Sequence, residues 1–266
     1  IKGLTSTQIA GLENTLSALT STQIALLPPR VIGALSSGHI EHLSPEQLRN
    51  FTPAQLAELK SDQFGALTSE QLASFTSTVL SKFTSTQIQG IDVDEIEFLS
   101  PEQLRALSSS ALRGLSPEHI RALNSEQIAS LSTRQFASLT SVQIAGLEST
   151  DITVLSTAHL RALSSFQIGA LSMEDIRALS TEKIAILSTA QIRGFSPEQF
   201  QAMSSVGIAS LSTFALRALT SAQIAALEVD DLRAIDDSKL QVFSSTQLSG
   251  LTTENRTILF ETNPLR

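Results

Sequence analysis

The sequence predicts an all-α protein, a right- or left-handed superhelical solenoid of very short helices with one helix per eight-residue repeat. Three observations predict this fold class. A large apolar residue recurs every eighth position, a second one follows it five residues later, and a Ser or Thr stands directly after the first, as in LSPEQLRA at 99–106. We call each eight-residue repeat an octad and number its positions from the first apolar residue.

The octad register extends over most of the chain. From Leu19 onward, position 1 recurs without a break to Leu259 and is occupied by Leu, Phe, Ile or Met. Leu12 and Leu19 are only seven residues apart, which indicates a one-residue deletion near residues 13–18. Gln is the commonest residue at position 5, and position 8 is mostly Ala, Gly or Ser.

The two ends of the chain depart from this regularity. We predict a continuous repeat solenoid over residues 1–251 and a degenerate last repeat with an exit segment over residues 252–266. In that last segment Arg256 takes the apolar position 6, and Pro264 blocks a helix nearby. The chain opens with IKGL, which fits the end of one octad and the start of the next. We therefore expect it to be a segment of a longer protein.

Two other structures fit the octad poorly. In a β-strand, positions 1 and 6 would point to opposite faces, and Gln, Glu and Ala are poor strand formers. In one long helix, eight residues overshoot two turns by about 80°, so the apolar stripe would spiral around the helix. Prolines also recur at position 3, where they would break a continuous helix. These prolines are Pro45, Pro53, Pro101, Pro117 and Pro197.

Each position of the octad instead fits the start of a separate short helix. Ser at position 2 is an N-cap, Pro at position 3 is the first helical residue, and Glu at position 4 lies near the positive end of the helix dipole. Gln at position 5 completes a capping box with the Ser, and the apolar residues at positions 1 and 6 form a hydrophobic staple. Arg at position 7 lies near the negative helix end. Every octad is thus predicted to be one helix of under two turns followed by a corner.

Such short helices must be stabilised by their neighbours, because isolated helices of this length are unstable in water. Hydrophobic residues make up 41% of the chain, enough for a core built from positions 1 and 6. We expect the small residue at position 8 to let the next helix approach closely. The chain has no Cys, which excludes disulfides and thiolate metal sites.

Charge and hydropathy exclude two classes of partner. The net charge of −8 argues against nucleic acid, since proteins that bind it present a basic face. No stretch approaches about 18 consecutive apolar residues, so we expect no membrane insertion.

No motif indicates catalysis or a cofactor. The acidic runs DVDEIE at 92–97 and EVDDLRAIDD at 228–237 fall largely at helix starts, which favours a capping role over general acid–base chemistry. Three of the four histidines replace Gln at position 5 and are interpreted as polar residues of the capping box: His39, His119 and His159. His42 has the spacing of half a metal site with His39, but no further His or Cys is nearby. We predict no catalytic residues, no metal and no cofactor.

Position 4 carries one deviation from the consensus. Val142, Phe166, Val206 and Phe214 place apolar groups where most octads have a polar residue. They are interpreted either as scattered surface hydrophobics or as a lateral-contact stripe. If three octads make one superhelical turn, Val142, Phe166 and Phe214 lie along one edge, since their spacings are multiples of three octads.

The octads also resemble a known type of repeat. LTSEQLAS at 67–74, LSTAQIRG at 187–194 and LTSAQIAA at 219–226 are similar to L-(S/T)-x-x-Q-(I/V)-x-A arrays of very long bacterial proteins, described loosely as heme-utilisation or adhesion proteins. The resemblance implies a secreted or surface-displayed stalk, adhesin or filament. No heme-ligand pattern is present, so heme binding is not expected.

These observations predict a structural repeat protein, not an enzyme. It would be a rod, stalk or filament-forming segment of a longer secreted or surface bacterial protein, with self-association or neighbouring chains of an assembly as partners. The alternative is an α-solenoid module that binds a peptide or protein, including a secreted effector. An evenly varying array favours the first function, and odd residues concentrated on one face favour the second.

Overall fold

A computed structural model describes Thr5, Gln8 and residues 16–262 of the chain. This part contains thirty α-helices and no strand, which confirms the predicted all-α class. Leu12 and Pro264, on which the predicted deletion and exit segment depend, lie outside the described residues. None of the helices in the described part is long and apolar enough to cross a bilayer.

The chain divides into two compact units, Ile1–Leu139 and Thr140–Arg266. In the first unit a 3₁₀ helix, Leu16–Ala18, precedes α-helices of four to six residues: Ser21–Ala25, Pro29–Ile32, Ser37–Glu41, Pro45–Arg49, Pro53–Glu58, Ser61–Phe64, Ser69–Ser74, Ser77–Leu80, Ser85–Gln89, Val93–Ile96, Pro101–Ala106, Ser109–Leu112, Pro117–Ala122, Ser125–Ser130 and Thr133–Ser138.

The second unit continues the same pattern and ends with one longer helix. Its helices are Ser141–Ile144, Ser149–Val154, Thr157–Ala162, Ser165–Ile168, Met173–Arg177, Thr181–Ala185, Thr189–Ile192, Pro197–Gln201, Ser205–Ser210, Thr213–Ala218, Ser221–Ala225, Val229–Ala234, Asp237–Leu240, Ser245–Ser249 and Thr253–Thr262. The last helix starts in register, directly after a position-2 Thr, and runs for ten residues.

The helix starts have the predicted capping geometry. Ser100 is extended, with φ −64° and ψ 157°, and its hydroxyl oxygen accepts the N–H of Gln103 at 3.2 Å. The side-chain oxygen of Gln103 accepts the N–H of Ser100 at 2.8 Å, which closes the capping box. Pro101 is the first helical residue, and the other five position-3 prolines, Pro29 among them, also begin helices. The prolines therefore prevent the preceding helix from continuing into the next octad.

Helices stack on partners three octads away. In the first unit, Pro45–Arg49 packs against Ser69–Ser74. In the second, Ser205–Ser210 packs against both Thr181–Ala185 and Val229–Ala234. Three octads thus complete one turn, and each unit consists of three stacks of short helices around a shared core.

The core is built from positions 1 and 6, as the sequence predicts. Nearly all of the apolar side chains at these positions are buried, and Leu19 and Leu248 are the half-buried exceptions among the described residues. Each fully buried Leu, Ile or Phe stabilises the fold by roughly 1.5–3 kcal/mol. Three phenylalanine rings contact one another in the core of the first unit. The ring of Phe83 makes edge contacts with the rings of Phe64 and Phe75 at centroid distances of 4.9 and 5.3 Å.

Position 8 is small because it approaches the backbone of a stacked helix. A Cβ placed on Gly114 would overlap the carbonyl oxygen of Ser85, at the start of the helix Ser85–Gln89. No described residue has a positive φ, so the backbone conformation of the corner does not require a glycine at position 8. Glycine there instead allows the backbone of the stacked helix to come close. Where Ser130 occupies position 8, its hydroxyl donates to the carbonyls of Gln127 at 2.7 Å and Pro101 at 3.4 Å. The close approach is therefore to the helix three octads earlier, which corrects the expectation that it is to the next helix.

This packing predicts opposite effects for two glycine-to-alanine substitutions in the first unit. Gly114→Ala should lower the free energy of unfolding by about 1–3 kcal/mol, because the backbone of Ser85 must move. Gly38→Ala should raise it by about 0.5–1 kcal/mol, because its new Cβ comes no closer than 3.9 Å to a neighbouring atom and alanine favours a helix. Denaturant unfolding followed by circular dichroism measures both. Equal effects of the two variants would contradict the close approach.

Candidate functional site

The position-5 side chain is buried and joins successive turns of the solenoid. The Nε2 of Gln55 donates to the carbonyl oxygens of Ile24 and Leu27, both at 2.9 Å. Its Oε1 accepts the N–H of Thr52 at 2.8 Å. Gln55 thus satisfies one helix start in its own octad. In the preceding turn it bonds the corner carbonyl of Leu27 and shares the carbonyl of Ile24 with the backbone N–H of Leu27.

The same bonds recur along both units. In each case Nε2 donates to the carbonyls 28 and 31 residues earlier, at 2.6–3.3 Å. We call this set the position-5 ladder; its glutamines with both bonds are Gln47, Gln55, Gln63, Gln71, Gln87, Gln103 and Gln135 in the first unit, and Gln191, Gln223 and Gln247 in the second.

Other donors replace glutamine in the ladder. The Nζ of Lys183 donates to the carbonyls of Ile152 and Thr153, both at 2.7 Å. Burial lowers the pKa of Lys183, although the charge of Glu182 opposes this shift. In the degenerate last repeat, Asn255 still donates to the carbonyl of Leu227 at 2.6 Å. Lysine and asparagine at position 5 thus keep the donation to the preceding turn that glutamine makes elsewhere.

Aspartate interrupts the ladder. Oδ2 of Asp175 accepts the N–H of Ser172 at 2.8 Å, but its buried Oδ1 has no hydrogen-bond partner among the described residues. By register, a glutamine here would reach the carbonyls of Leu147 and Ile144, and an ionised carboxylate cannot donate to them. Burial raises the pKa of Asp175, the two bonds from Ser172 lower it, and the charge of Asp151 raises it further, for a net rise.

A second aspartate behaves in the same way. Asp231 lies at a helix start, as predicted for the acidic run 228–237, but it is buried at position 5. Burial raises its pKa, while bonds from Glu228 and Ser205 lower it by less. The run therefore contains one interior carboxyl among exposed ones.

The histidines hold the predicted capping positions. His39, His119 and His159 each accept the N–H of their N-cap residue. His119 also directs Nε2 at the carbonyl of Ile91, 2.8 Å away and 28 residues earlier, so that it donates within the ladder. The Nδ1 of His42 instead bonds the carbonyl of Gly38 at 2.7 Å. No group of three or more His, Asp or Glu side chains in the described part of the chain is placed to hold a metal ion.

Sequence reasoning assigned position 5 to capping alone and missed its bonds between turns. The signal was present: Gln recurs at this position more regularly than capping requires, while the exposed positions 3, 4 and 7 vary. Register alone could not reveal the bond, because the acceptor carbonyls lie in the preceding turn and their proximity depends on there being three octads per turn.

One surface of the second unit is apolar. The stacked helices Ser141–Ile144, Ser165–Ile168, Thr189–Ile192 and Thr213–Ala218 form it, and we call it the apolar face. The side chains of Val142, Phe166 and Phe214 project from it and are 65%, 84% and 71% exposed.

The fourth residue of the predicted stripe lies elsewhere. Val206 is also exposed, but its helix, Ser205–Ser210, belongs to a different stack. The stripe is therefore reduced to three side chains on one face, because the spacing between Val206 and these three is not a whole number of three-octad turns. Whether this face contacts a partner stays a prediction.

A groove runs beside Phe166 on the apolar face. It has a volume of about 580 Å³ and is lined by Ser165, Phe166, Gly169, Ala190, Arg193 and Gly194. The Nε of Arg193 donates to the carbonyl of Ala218 at 3.1 Å, which fixes this guanidinium beside the groove. The octads of the face, 139–146, 163–170, 187–194 and 211–218, contain no Asp or Glu, although the chain carries a net charge of −8.

A second groove gathers arginines that are distant in sequence. In the first unit, Arg105, Arg113 and Arg134 line an opening of about 650 Å³ together with several serines. Arg134 joins Arg105 and Arg113 only through the stacking of octads from successive turns.

The profile of the ALTTAQ repeat matches the chain over residues 40–77, 109–141, 144–181 and 173–205, which together cover half of it. The chain belongs to the ALTTAQ repeat family. The letters of this name correspond to position 8 through position 5 of the octad, as in ALTSEQ at 66–71. The junction that defines the ALTTAQ repeat thus contains the small packing residue, the N-cap and the ladder glutamine. No curated protein matches the chain.

The ladder predicts that one atom change in an ALTTAQ repeat destabilises the array. Gln71 donates to the carbonyls of Ile40, Glu41 and Leu43 at 2.9, 3.1 and 2.7 Å. Gln71→Glu keeps the capping acceptor but places a carboxylate oxygen against these carbonyls. The free energy of unfolding should fall by about 1–3 kcal/mol or more at pH 7, the cost of a buried unsatisfied group.

The matched control is Glu70→Gln, which exchanges the same two groups on the adjacent exposed residue. Its unfolding free energy should stay within about 0.5 kcal/mol of the parent. Thermal unfolding of the two variants at pH 7 compares their stabilities. If both variants are equally stable, the bonds of the position-5 ladder do not stabilise the fold.

Asp175 predicts a pH dependence of stability. Its folded pKa is raised above the ordinary 3.8, so the neutral carboxyl stabilises the fold below that value and the contribution is lost as pH rises through the folded pKa. Asp175→Gln should therefore stabilise the array by about 1–3 kcal/mol at pH 7 and by less near pH 3.5. Unfolding measured at both pH values tests this. An equal gain at the two pH values would show that folding does not raise the pKa of Asp175.

Proposed function

We propose that this ALTTAQ array is a structural spacer of a longer secreted or surface-displayed bacterial protein. The observation that carries the proposal is the position-5 ladder. Within each unit, most octads bond to the preceding turn through a position-5 donor, main-chain carbonyls 28 and 31 residues earlier, and the same two apolar positions. A repeat of this kind can therefore extend a chain without new chemistry. The secreted or surface setting, including a role in adhesion, is supported by the resemblance of the octads to those of very long bacterial proteins.

The array has no arrangement that favours catalysis among its described residues. The glutamine amides of the position-5 ladder are occupied by bonds to the backbone, and serines at position 2 are occupied as helix caps. The side chains that remain available for partners are those at positions 3, 4 and 7, most of which are Ser, Thr, Ala, Glu or Arg. These groups suit an assembly surface and not a reaction.

We further propose that the array self-associates through the apolar face. Large, highly exposed aromatic side chains on a helical surface are typical of protein contacts. The absence of acidic residues there allows copies with a net charge of −8 to approach without carboxylate repulsion at the contact. The alternative is a binding module in which the groove beside Phe166 holds a peptide of another protein; the groove itself favours it.

Sedimentation analysis tests self-association. Phe166→Ser/Phe214→Ser should weaken association by more than tenfold and leave the unfolding midpoint nearly unchanged, because both rings are exposed. Val206→Ser removes an exposed apolar side chain from another stack and should associate like the parent. Unchanged association of the double variant would exclude the apolar face, and a parent that stays monomeric would favour the binding-module alternative.

A further inference from the structure

The first unit carries an exposed aromatic side chain bordered by acids. Phe98 occupies position 8, where most octads have Ala, Gly or Ser, and it is 51% exposed after the helix Val93–Ile96. Asp92, Asp94 and Glu97 are exposed around it. The octad 91–98 contains four acidic residues and no basic one.

The apolar face of the second unit has the complementary properties. Its charged residues are Arg193 and Arg217, with no acid among them. Its groove is lined by small residues, Gly169, Ala190 and Gly194, together with Phe166. A phenyl ring is the kind of side chain that such a groove receives, and its wall offers a second ring for an edge contact.

We infer that the segment Asp92–Phe98 of one copy docks on the apolar face of a second copy, with Phe98 in the groove and Glu97 opposite Arg193. The inference rests on the proposed self-association and names the surface that the apolar face receives. Three properties match: an aromatic ring against a small-residue groove, carboxylates against guanidiniums, and an acid-rich octad against acid-free octads. Charge-assisted bonds between Arg and a carboxylate fix the orientation of the ring.

This contact is heterologous, because the two surfaces that meet are different. Each copy then carries one donor segment and one receiving groove, so copies add head to tail into a ring or an open filament. If two apolar faces paired with each other instead, Arg193 and Arg217 of both copies would lie at the contact. Neither face contains a carboxylate that could form an ion pair with them. Charge complementarity therefore favours the segment 92–98 over a second apolar face.

Two single variants test the inference when they are mixed. Phe98→Ser keeps the groove and loses the ring, whereas Phe166→Ser keeps the ring of Phe98 and alters the groove wall. The parent should form species larger than a dimer in sedimentation velocity, and each variant alone should be monomeric at the same concentration. A one-to-one mixture should form a dimer and nothing larger, because only one competent pair of surfaces remains.

A charge exchange gives an independent test. Glu97→Arg should weaken association by about tenfold, because the new arginine places a second positive charge opposite Arg193. Adding Arg193→Glu to this variant should restore association. Glu102→Arg makes the same charge change on an exposed residue of the next octad and should leave association unchanged. Failure of Arg193→Glu to restore association would overturn the pairing of these two residues.

The possible outcomes separate this inference from the proposed function. If Phe98→Ser associates like the parent while Phe166→Ser/Phe214→Ser does not, the apolar face has another occupant and the inference is wrong. If the parent is monomeric, both self-association and this contact are wrong, whereas the spacer role stands on the ladder alone.

Discussion

The fold depends on one hydrogen-bonding group, the side chain at position 5. A helix of four to six residues has few internal bonds, and the N–H groups of its corner bond several of its carbonyls, as Leu27 does to Ile24 at 3.0 Å. The corner carbonyl of Leu27 accepts no backbone N–H in the described part of the chain, so the octad does not satisfy all of its own carbonyls. Gln55 shows how the solenoid resolves this: one amide caps its own helix and satisfies two carbonyls of the turn before. Because the amide is buried, these bonds form in a low-dielectric interior, where an unmade bond is costly.

The ladder explains what position 5 tolerates. Lysine and asparagine replace glutamine while keeping a donor, as Lys183 and Asn255 show. Asp175 keeps the capping bond but has no hydrogen to donate when it is ionised. Because burial disfavours the charged form, the pKa of Asp175 is raised and its carboxyl gains a proton more readily. Buried Ala111 and Ala215 avoid the problem by carrying no polar group at all.

With the interior assigned to positions 1, 5 and 6, the exposed positions can differ between octads while the same fold is kept. This freedom allows the same ALTTAQ scaffold to carry an acid-rich octad around Phe98 in one unit and an acid-free apolar face in the other. Function in such an array therefore resides in departures from the repeat. The period of three octads decides which departures lie together, which is why Phe166 and Phe214 share a face and Val206 does not.

The helix starts, the core positions and the all-α class can be derived from the amino-acid sequence alone. These features depend on local chemistry: Ser100 caps, Pro101 begins and Gln103 closes the box within a single turn of chain. The placement of Val142, Phe166 and Phe214 along one edge also followed from the sequence, once three octads per turn were assumed. Only the tertiary structure decided that this number is three, that Gln55 reaches the carbonyls of the preceding turn, and that Gly114 faces Ser85. These contacts join residues distant in the chain, and no local pattern of caps or apolar spacing fixes the angle at each corner that brings them together.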